Sequence, residues 1–176
     1  MVKISKIFAY FIFFILALIY FLPKLNLYYY LENELQNYKV ILTEKAKEDT
    51  GFSLKLKEAD IFYDSIEVAK VENINLKIFV LHNTMQVKNV KLSNLTSSFM
   101  PEDIKQIDIR YSIINPLNIV AHINGGFGVA NINFNVLDKN VSVDLTPSKL
   151  MLQRYQNTLR NFTKTGDKEY KYVKTF

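Results

Sequence analysis

Residues 127–137 read FGVANINFNVL, and this segment decides the kind of fold that the chain adopts. Asparagine occupies positions 131, 133 and 135, and Ile132, Phe134 and Val136 follow those asparagines one by one. Since successive side chains of a β-strand point to opposite faces, the alternation predicts a strand with one polar and one buried face. Such strands are typical of antiparallel sheets that are covered on one side only.

Similar segments stand on both sides of this one, separated by short turn sequences. The spacing of apolar residues predicts further strands near residues 52–57, 74–80, 85–92, 105–111, 117–123 and 141–145. Turns are expected at Asn83-Thr84, Asn124-Gly125-Gly126 and Asp138-Lys139-Asn140. The alternation slips by one residue between Val87 and Val90, which predicts a bulge. Because the connections are short, we expect a largely antiparallel sheet.

Two segments with helical periodicity flank the strands. Residues 25–50 are predicted to form one long amphipathic helix ended by Gly51, because apolar residues recur at three- and four-residue spacing. Its apolar stripe would pack on the sheet or, alternatively, on a partner helix. A second helix is expected to start at Thr146-Pro147, and residues 170–173 form either a short strand or a tail. The predicted fold class is α+β: an N-terminal transmembrane helix, a long amphipathic helix, a curved antiparallel β-sheet and a C-terminal helix.

The N-terminal segment 7–22 reads IFAYFIFFILALIYFL and carries no charge. Sixteen helical residues measure about 24 Å, a little less than a hydrocarbon core of about 30 Å. Lys6 and Lys24 are expected to extend the span by reaching towards the two interfaces. A cleaved signal peptide is the alternative, but residues 23–26 offer no small-residue cleavage site. We expect lipid contacts from one set of anchor residues: Ile7, Phe11, Phe14, Leu18 and Leu22.

Lys3 and Lys6 precede this segment, so the positive-inside rule places the N-terminus in the cytoplasm. The sequence therefore predicts two parts. Residues 1–24 form a cytoplasmic tip and a transmembrane signal-anchor, and residues 25–176 form an α+β domain in the periplasm of a bacterial cell. The chain has no cysteine, so this domain would be stabilised by packing without disulfides.

The sequence offers no constellation typical of catalysis, and we predict no catalytic, cofactor or metal site. His82 and His122 are the only histidines, and they are too isolated to predict a metal site. The net charge of +5 is small and scattered, so no direct binding of nucleic acid is expected. One modification signal is present: residues 138–142, DKNVS, fit the extended bacterial acceptor for N-glycosylation at Asn140.

The basic start with its apolar segment 7–22, the Thr50-Gly51 helix end and the alternating residues 71–78 (VENINLKI) carry a resemblance. The layout resembles the GspN-like family of type II secretion accessory proteins and the N-terminal part of AsmA-like proteins. It is also similar to small membrane subunits of bacterial transformation systems. The resemblance implies a non-enzymatic inner-membrane subunit of a type II secretion, type IV pilus or DNA-uptake machine that binds other inner-membrane or periplasmic subunits.

The AsmA-like resemblance implies an alternative function in lipid binding or lipid transfer. An open apolar groove on the inner face of the sheet would favour lipid, whereas a filled core would favour a scaffold. A third alternative, an envelope hydrolase, would require a pocket with convergent polar groups. The oligomeric state is left open by the sequence.

Overall fold

The computed structural model describes residues 2–79 and 81–176. Val80, the last residue of one predicted strand, and Met1, in the predicted cytoplasmic tip, lie outside the described residues. The elements in chain order are α1 (Val2–Phe21), α2 (Lys24–Asn37), β1 (Val40–Asp49), β2 (Leu54–Tyr63), β3 (Ile66–Ile78), β4 (His82–Leu92), a 3₁₀ turn (Thr96–Ser98), β5 (Asp103–Ser112), β6 (Asn118–Gly125), β7 (Gly128–Asn135), β8 (Asn140–Pro147), α3 (Lys149–Arg154), α4 (Gln156–Leu159), β9 (Thr163–Gly166) and β10 (Glu169–Thr175).

The ten strands form one antiparallel sheet in the order β1-β2-β3-β4-β5-β6-β7-β8-β10-β9. Strands β1 to β8 follow each other as a meander, and β10 inserts between β8 and the edge strand β9. The predicted antiparallel sheet is confirmed, and residues 169–175 are a strand rather than a tail. Strands account for 51% of the chain, so the fold is mostly sheet and not the balanced α+β fold that the sequence predicted.

The predicted long helix over residues 25–50 is wrong in its second half. Helix α2 ends at Asn37, and Lys39 adopts a left-handed conformation with φ of 62°. The following ten residues form β1, which pairs with β2 from Val40 opposite Tyr63 onwards. This segment contains helix-forming residues, but pairing with β2 holds it in the extended conformation, because tertiary contacts outweigh local helix propensity. Gly51 ends no helix but turns the β1–β2 hairpin with φ of 80°.

The predicted C-terminal helix is shorter and begins later than expected. Thr146 and Pro147 are the last residues of β8, and Ser148 is the N-cap of α3. The Ser148 hydroxyl accepts a hydrogen bond from the Met151 amide at 3.1 Å, which satisfies one free donor of the first helical turn. The chain then breaks at Tyr155 into the short helix α4.

The hydrophobic core lies on one face of the sheet, which we call the inner face. Helix α2 covers this face at the β1 side through Tyr28, and α3 and α4 cover it at the β8 side through Met151 and Leu159. The buried strand residues beneath them are Leu54, Leu56, Ala59, Ala69, Val71, Ile74, Val87, Val90, Ile104, Ala130 and Leu145. The opposite, outer face carries a cross-strand row of polar residues: Asn75, Gln86, Asp108, His122, Asn131 and Asp144.

A line of irregular backbone crosses the first five strands, and we call it the crease. Its residues lie at matching register positions: Lys45, Glu58, Glu72, Asn89 and Lys105. Glu58 and Asn89 have φ of 49° and 53°, and the pairing of β5 with β6 shifts register beside Lys105. The broken alternation predicted between Val87 and Val90 falls on this line. However, the pairing of β3 with β4 and of β4 with β5 has the same register on both sides of the crease. No extra residue is therefore inserted in one strand, as a bulge would require, and all three strands are irregular at the same level.

Candidate functional site

Helix α1 is long and apolar enough to cross a membrane over residues Lys3–Phe21. Its twenty residues measure about 30 Å, which matches the thickness of a bilayer's hydrocarbon core. Four of the five predicted anchor residues lie on α1 with at least half of their surface exposed: Ile7, Phe11, Phe14 and Leu18. The fifth, Leu22, lies one residue beyond the end of the helix.

The C-terminal end of α1 is packed against the β1–β2 hairpin. The Tyr20 ring meets the Phe52 ring edge-on, with centroids 5.4 Å apart, and lies directly over Gly51. A Cβ at position 51 would come within 2.3 Å of that ring, so the close approach requires glycine. The helix and the sheet are thus joined by direct packing at this hairpin.

Lys24 strengthens the same junction from inside the protein. Its side chain is fully buried, and its ammonium group donates hydrogen bonds to the carbonyl oxygens of Ile19 at 3.0 Å and Leu22 at 3.2 Å. The Asp49 carboxylate lies 3.9 Å away. Lys24 therefore does not reach towards an interface, as the sequence predicted, but satisfies the free carbonyl groups at the end of α1.

A polar cluster fixes α2 across β1. The Tyr28 hydroxyl donates to Glu44 at 2.6 Å, and Glu44 also pairs with Lys47, whose ammonium group lies 4.6 Å from the centre of the Tyr29 ring. Burial and the adjacent Glu44 carboxylate raise the pKa of Tyr28 far above its usual range. Burial is the largest single influence on Lys47 and lowers its pKa, but the hydrogen bond and charge of Glu44, together with Tyr29 and Glu32, outweigh burial and raise the pKa of Lys47.

An apolar groove of about 440 Å³ separates α2 from the inner face of the sheet. Helix α2 contributes Leu27, Tyr30 and Leu31, of which Leu27 is 38% and Leu31 is 47% exposed. Strands β3 to β6 contribute the facing wall, whose apolar residues are Leu76, Ile78, Met85, Ile109, Tyr111 and Ile119. The core is filled under α3 and α4, but this part of the inner face is open.

A second apolar cavity of about 380 Å³ continues the groove towards α1. It shares Leu27, Ile78 and Asn83 with the groove, and its other wall is formed by residues at the end of α1: Leu18, Ile19 and Leu22. An apolar path therefore runs from the end of the membrane-length helix to the inner face of the sheet. We refer to the two cavities together as the groove.

The outer face offers polar groups but in a different arrangement. Asp108 accepts hydrogen bonds from the side-chain amides of Gln86 at 2.9 Å and Gln106 at 2.6 Å, and the bond from Gln86 contributes most to lowering the pKa of Asp108. The His122 ring nitrogen Nδ1 lies 2.8 Å from the Asn131 side-chain oxygen. Within residues 2–79 and 81–176, no three histidine or carboxylate side chains are grouped as a metal site would require.

Asn140, the predicted glycosylation acceptor, is the first residue of β8 and lies opposite Asn135 at the base of the β7–β8 turn. It is half-buried, while the turn residues 136–139 beside it are exposed. His82 begins β4 and His122 lies in β6, two strands further along the sheet, and the cavity beside His122 is not lined by His82.

Sequence reasoning did not find the groove. Its walls come from two helices and four strands, and the residues alone read as core positions of those elements. Only the placement of α2 over the β1 side of the sheet leaves them uncovered. No protein-family model, curated protein or solved structure was found to match the chain.

Proposed function

We propose that the protein is a single-pass membrane protein whose sheet domain binds an acyl chain of a membrane lipid in the groove. The observation that carries this proposal is the open apolar path from the end of α1 to the inner face of the sheet. Apolar surface left open to water is costly, and an acyl chain of a neighbouring lipid would cover it. The groove volume also lies in the range of about 300–1,000 Å³ that is usual for small-molecule sites.

In the proposed arrangement, α1 stays in a bacterial inner membrane with Lys3 and Lys6 on the cytoplasmic side. Residues 25–176 then lie in the periplasm, and the α1 end of the groove lies at the membrane surface. A lipid could enter the groove sideways without crossing water. This geometry supports retention of α1 as an anchor rather than its removal as a signal peptide.

The proposed activity is binding without chemistry or a cofactor. The polar residues of the groove lining are Lys77, Asn83, Thr84 and two tyrosines, and Lys77 and Thr84 lie at outer-face register positions. Among the described residues that line the groove, none is a histidine or carries a carboxylate. General acid–base catalysis would need such groups within hydrogen-bond distance of the substrate. We therefore propose a lipid-binding or lipid-transfer role rather than a hydrolase.

The test compares two leucines on the same helix. The full chain is purified from membranes in a mild detergent, and the bound lipid is measured by native mass spectrometry. In the Leu31→Glu variant a carboxylate enters the groove, so we expect most of the bound lipid to be lost. Leu35 lies one turn further along α2, is 39% exposed and does not line the groove, so the Leu35→Glu variant should retain its lipid.

Circular dichroism on both variants controls for folding. Equal lipid occupancy in the Leu31→Glu variant and the unchanged protein would overturn the proposal, as would a wild-type chain that carries no lipid.

A second candidate is a non-enzymatic subunit of a type II secretion, type IV pilus or DNA-uptake machine that binds neighbouring subunits. The observation that favours it is the ten-residue edge strand β1, which pairs with β2 on one side and with no other strand among the described residues. Such an edge can accept a strand from a partner protein. A deletion strain assayed for both DNA uptake and protein secretion tests this candidate, and normal results in both assays would reject it.

A further inference from the structure

We propose that four hairpin loops at one end of the sheet rest in the headgroup layer of the same bilayer that α1 crosses. The proposal adds a membrane-docking surface to the proposed function and rests on its claim that α1 stays in the bilayer. The occupant of this surface is the lipid bilayer itself, on the side where the sheet lies.

Topology brings these loops to one end. In an antiparallel meander every second connection lies at the same end of the strands. The β1–β2, β3–β4, β5–β6 and β7–β8 connections therefore share one end, and the C-terminal residue of β10 joins them because Thr175 pairs with Asn140. We call this end the hairpin end.

Every connection at the hairpin end presents large apolar side chains to solvent. Ile114 is 87% exposed and Leu137 is 71% exposed, although both could have been polar at no cost to the core. The other apolar side chains there are between 44% and 69% exposed: Phe52, Leu81, Ile113, Leu117, Val136 and Phe176. A set this large on one end of a domain is typical of an interaction surface.

The end of α1 indicates what covers this surface. Tyr20 packs on Phe52 in the β1–β2 turn, and Leu18 and Leu22 share a cavity with Phe79 in the β3–β4 connection. Two of the four loops therefore touch the point where the membrane-length helix ends. The remaining loops lie at the same end of the neighbouring strands, about 5 Å further for each strand crossed.

Charge is also suited to a lipid interface. In the loop residues 50–53, 79, 81, 113–117 and 136–139, the only charged side chains are Asp138 and Lys139, which are adjacent and of opposite sign. The Lys174 ammonium group lies 4.9 Å from the centre of the Phe176 ring, so it stands beside an apolar side chain at the edge of the surface. Lysines in this position can reach lipid phosphates while their neighbours enter the apolar layer.

The opposite end of the sheet also exposes apolar side chains, including Tyr38, Leu95 and Phe99, but the membrane-length helix α1 ends at the hairpin end and not there. The β2–β3 turn at this opposite end is formed by Asp64 and Ser65, and Asp64 pairs with Lys39 at 3.0 Å. Leu95 in the β4–β5 connection is 64% exposed, but ten-residue strands place that loop about 30 Å from the hairpin end. Leu95 is therefore a matched control: an exposed leucine that the proposal keeps out of the membrane.

The chain contains no tryptophan, so a single introduced tryptophan reports on one position only. Full-length Ile114→Trp, Leu137→Trp, Leu95→Trp and Phe11→Trp variants are reconstituted into phosphatidylethanolamine–phosphatidylglycerol vesicles that contain brominated phosphatidylcholine. Brominated chains quench tryptophan inside the bilayer, and aqueous acrylamide quenches it outside. We expect bromolipid quenching and a blue-shifted emission for the Ile114→Trp, Leu137→Trp and Phe11→Trp variants, and acrylamide quenching for Leu95→Trp.

The four positions separate the two proposals. If Phe11→Trp is quenched by bromolipid but Ile114→Trp and Leu137→Trp behave like Leu95→Trp, the docking surface is disproved and the anchor stands. If Phe11→Trp is quenched only by acrylamide, the membrane anchor itself is disproved. Circular dichroism of each variant confirms that the sheet is intact.

Discussion

The ammonium group of Lys24 lies inside the protein, against the last carbonyl groups of α1. A helix leaves four carbonyls without partners at its C-terminus, and a cation there also offsets the negative end of the helix dipole. The same ammonium group faces Asp49 on β1, so one side chain ties the helix end to the sheet. From the sequence alone, Lys24 was predicted to reach towards the membrane interface. Its actual partners, carbonyl groups at the end of α1 and Asp49 on β1, are brought together only by the fold.

We expect Lys24→Met to lower the free energy of unfolding by about 1–3 kcal/mol, because buried carbonyl groups would lose their donor. The exposed pair between Lys39 and Asp64 is the matched comparison, and Lys39→Met should cost less than about 1 kcal/mol. Denaturant-induced unfolding of the full chain in detergent micelles measures both. Equal losses for the two variants would contradict the role of Lys24.

Tyr28 makes stability depend on pH. Burial and the Glu44 carboxylate raise the pKa of its hydroxyl in the folded protein, whereas an unfolded tyrosine ionises near pH 10. Below pH 10 the hydroxyl is protonated in both the folded and the unfolded chain, and the folded state keeps its full stability. Above pH 10 the unfolded chain loses this proton while the folded protein keeps it, so the free energy of unfolding falls as the pH rises. One proton changes the free energy of unfolding by about 1.4 kcal/mol per pH unit there.

We therefore expect the wild-type chain to lose about 1 kcal/mol more stability than Tyr28→Phe between about pH 10 and pH 11, because the unfolded hydroxyl is only half ionised at the start of that range. The Tyr29→Phe variant removes the adjacent, half-exposed hydroxyl and should retain the wild-type loss. Unfolding free energies across that range test this. Parallel pH profiles for wild-type and Tyr28→Phe would show that the hydroxyl's environment is ordinary.

At the scale of the elements, alternation located most of the strands, although the turn predicted at Asn83-Thr84 lies inside β4. Helical spacing was correct for α2 and wrong for residues 40–49. The strand over residues 128–135 and its glycine turn follow from asparagines and apolar residues in strict alternation. Residues 40–49 carry helix formers such as Glu44, Lys45 and Ala46, yet they form β1, since Lys39 turns the chain and β2 supplies a partner. A left-handed lysine leaves no signal in a sequence, because lysine rarely adopts that conformation. The groove was also not predicted, because its walls come from helices and strands that are far apart in the sequence.

The crease is testable at Asn89, whose φ of 53° glycine adopts easily and β-branched residues do not. We expect Asn89→Gly to change stability by less than about 0.5 kcal/mol and Asn89→Val to lose about 1–2 kcal/mol. Lys88→Val places the same side chain on the adjacent exposed position and should cost almost nothing. Thermal unfolding of the three variants compares them, and an unaffected Asn89→Val variant would rule out a left-handed backbone at this site.

The whole molecule is a sheet with all of its helices at one face or one end. Helix α2 covers the inner face at one side, and α3 with α4 covers it at the other. The uncovered part between them is the groove, and it opens towards α1. The placement of the opening beside the apolar helix, rather than its size, makes a lipid the favoured occupant.

Orientation across the membrane can be tested with a phosphatase fused after Phe176, which is active only outside the cytoplasm. We expect activity from the wild-type fusion and a strong reduction in the Lys3→Glu/Lys6→Glu double variant, because the positive charges hold the N-terminus inside. The Lys88→Glu/Lys91→Glu variant makes the same charge change in the sheet and should keep its activity. An inactive wild-type fusion in intact cells would overturn the proposed topology.

The meander also sets the order in which the chain can assemble. Each strand from β2 to β8 pairs with the strand made immediately before it, so a chain emerging N-terminus first can add one strand at a time. Strand β10 is the exception, since it must slot between β8 and β9 after both α3 and α4 have been made. Met151 and Leu159 therefore cover the inner face only after the β1–β8 meander has been made, so the core beneath α3 and α4 is completed in a later step than the meander itself.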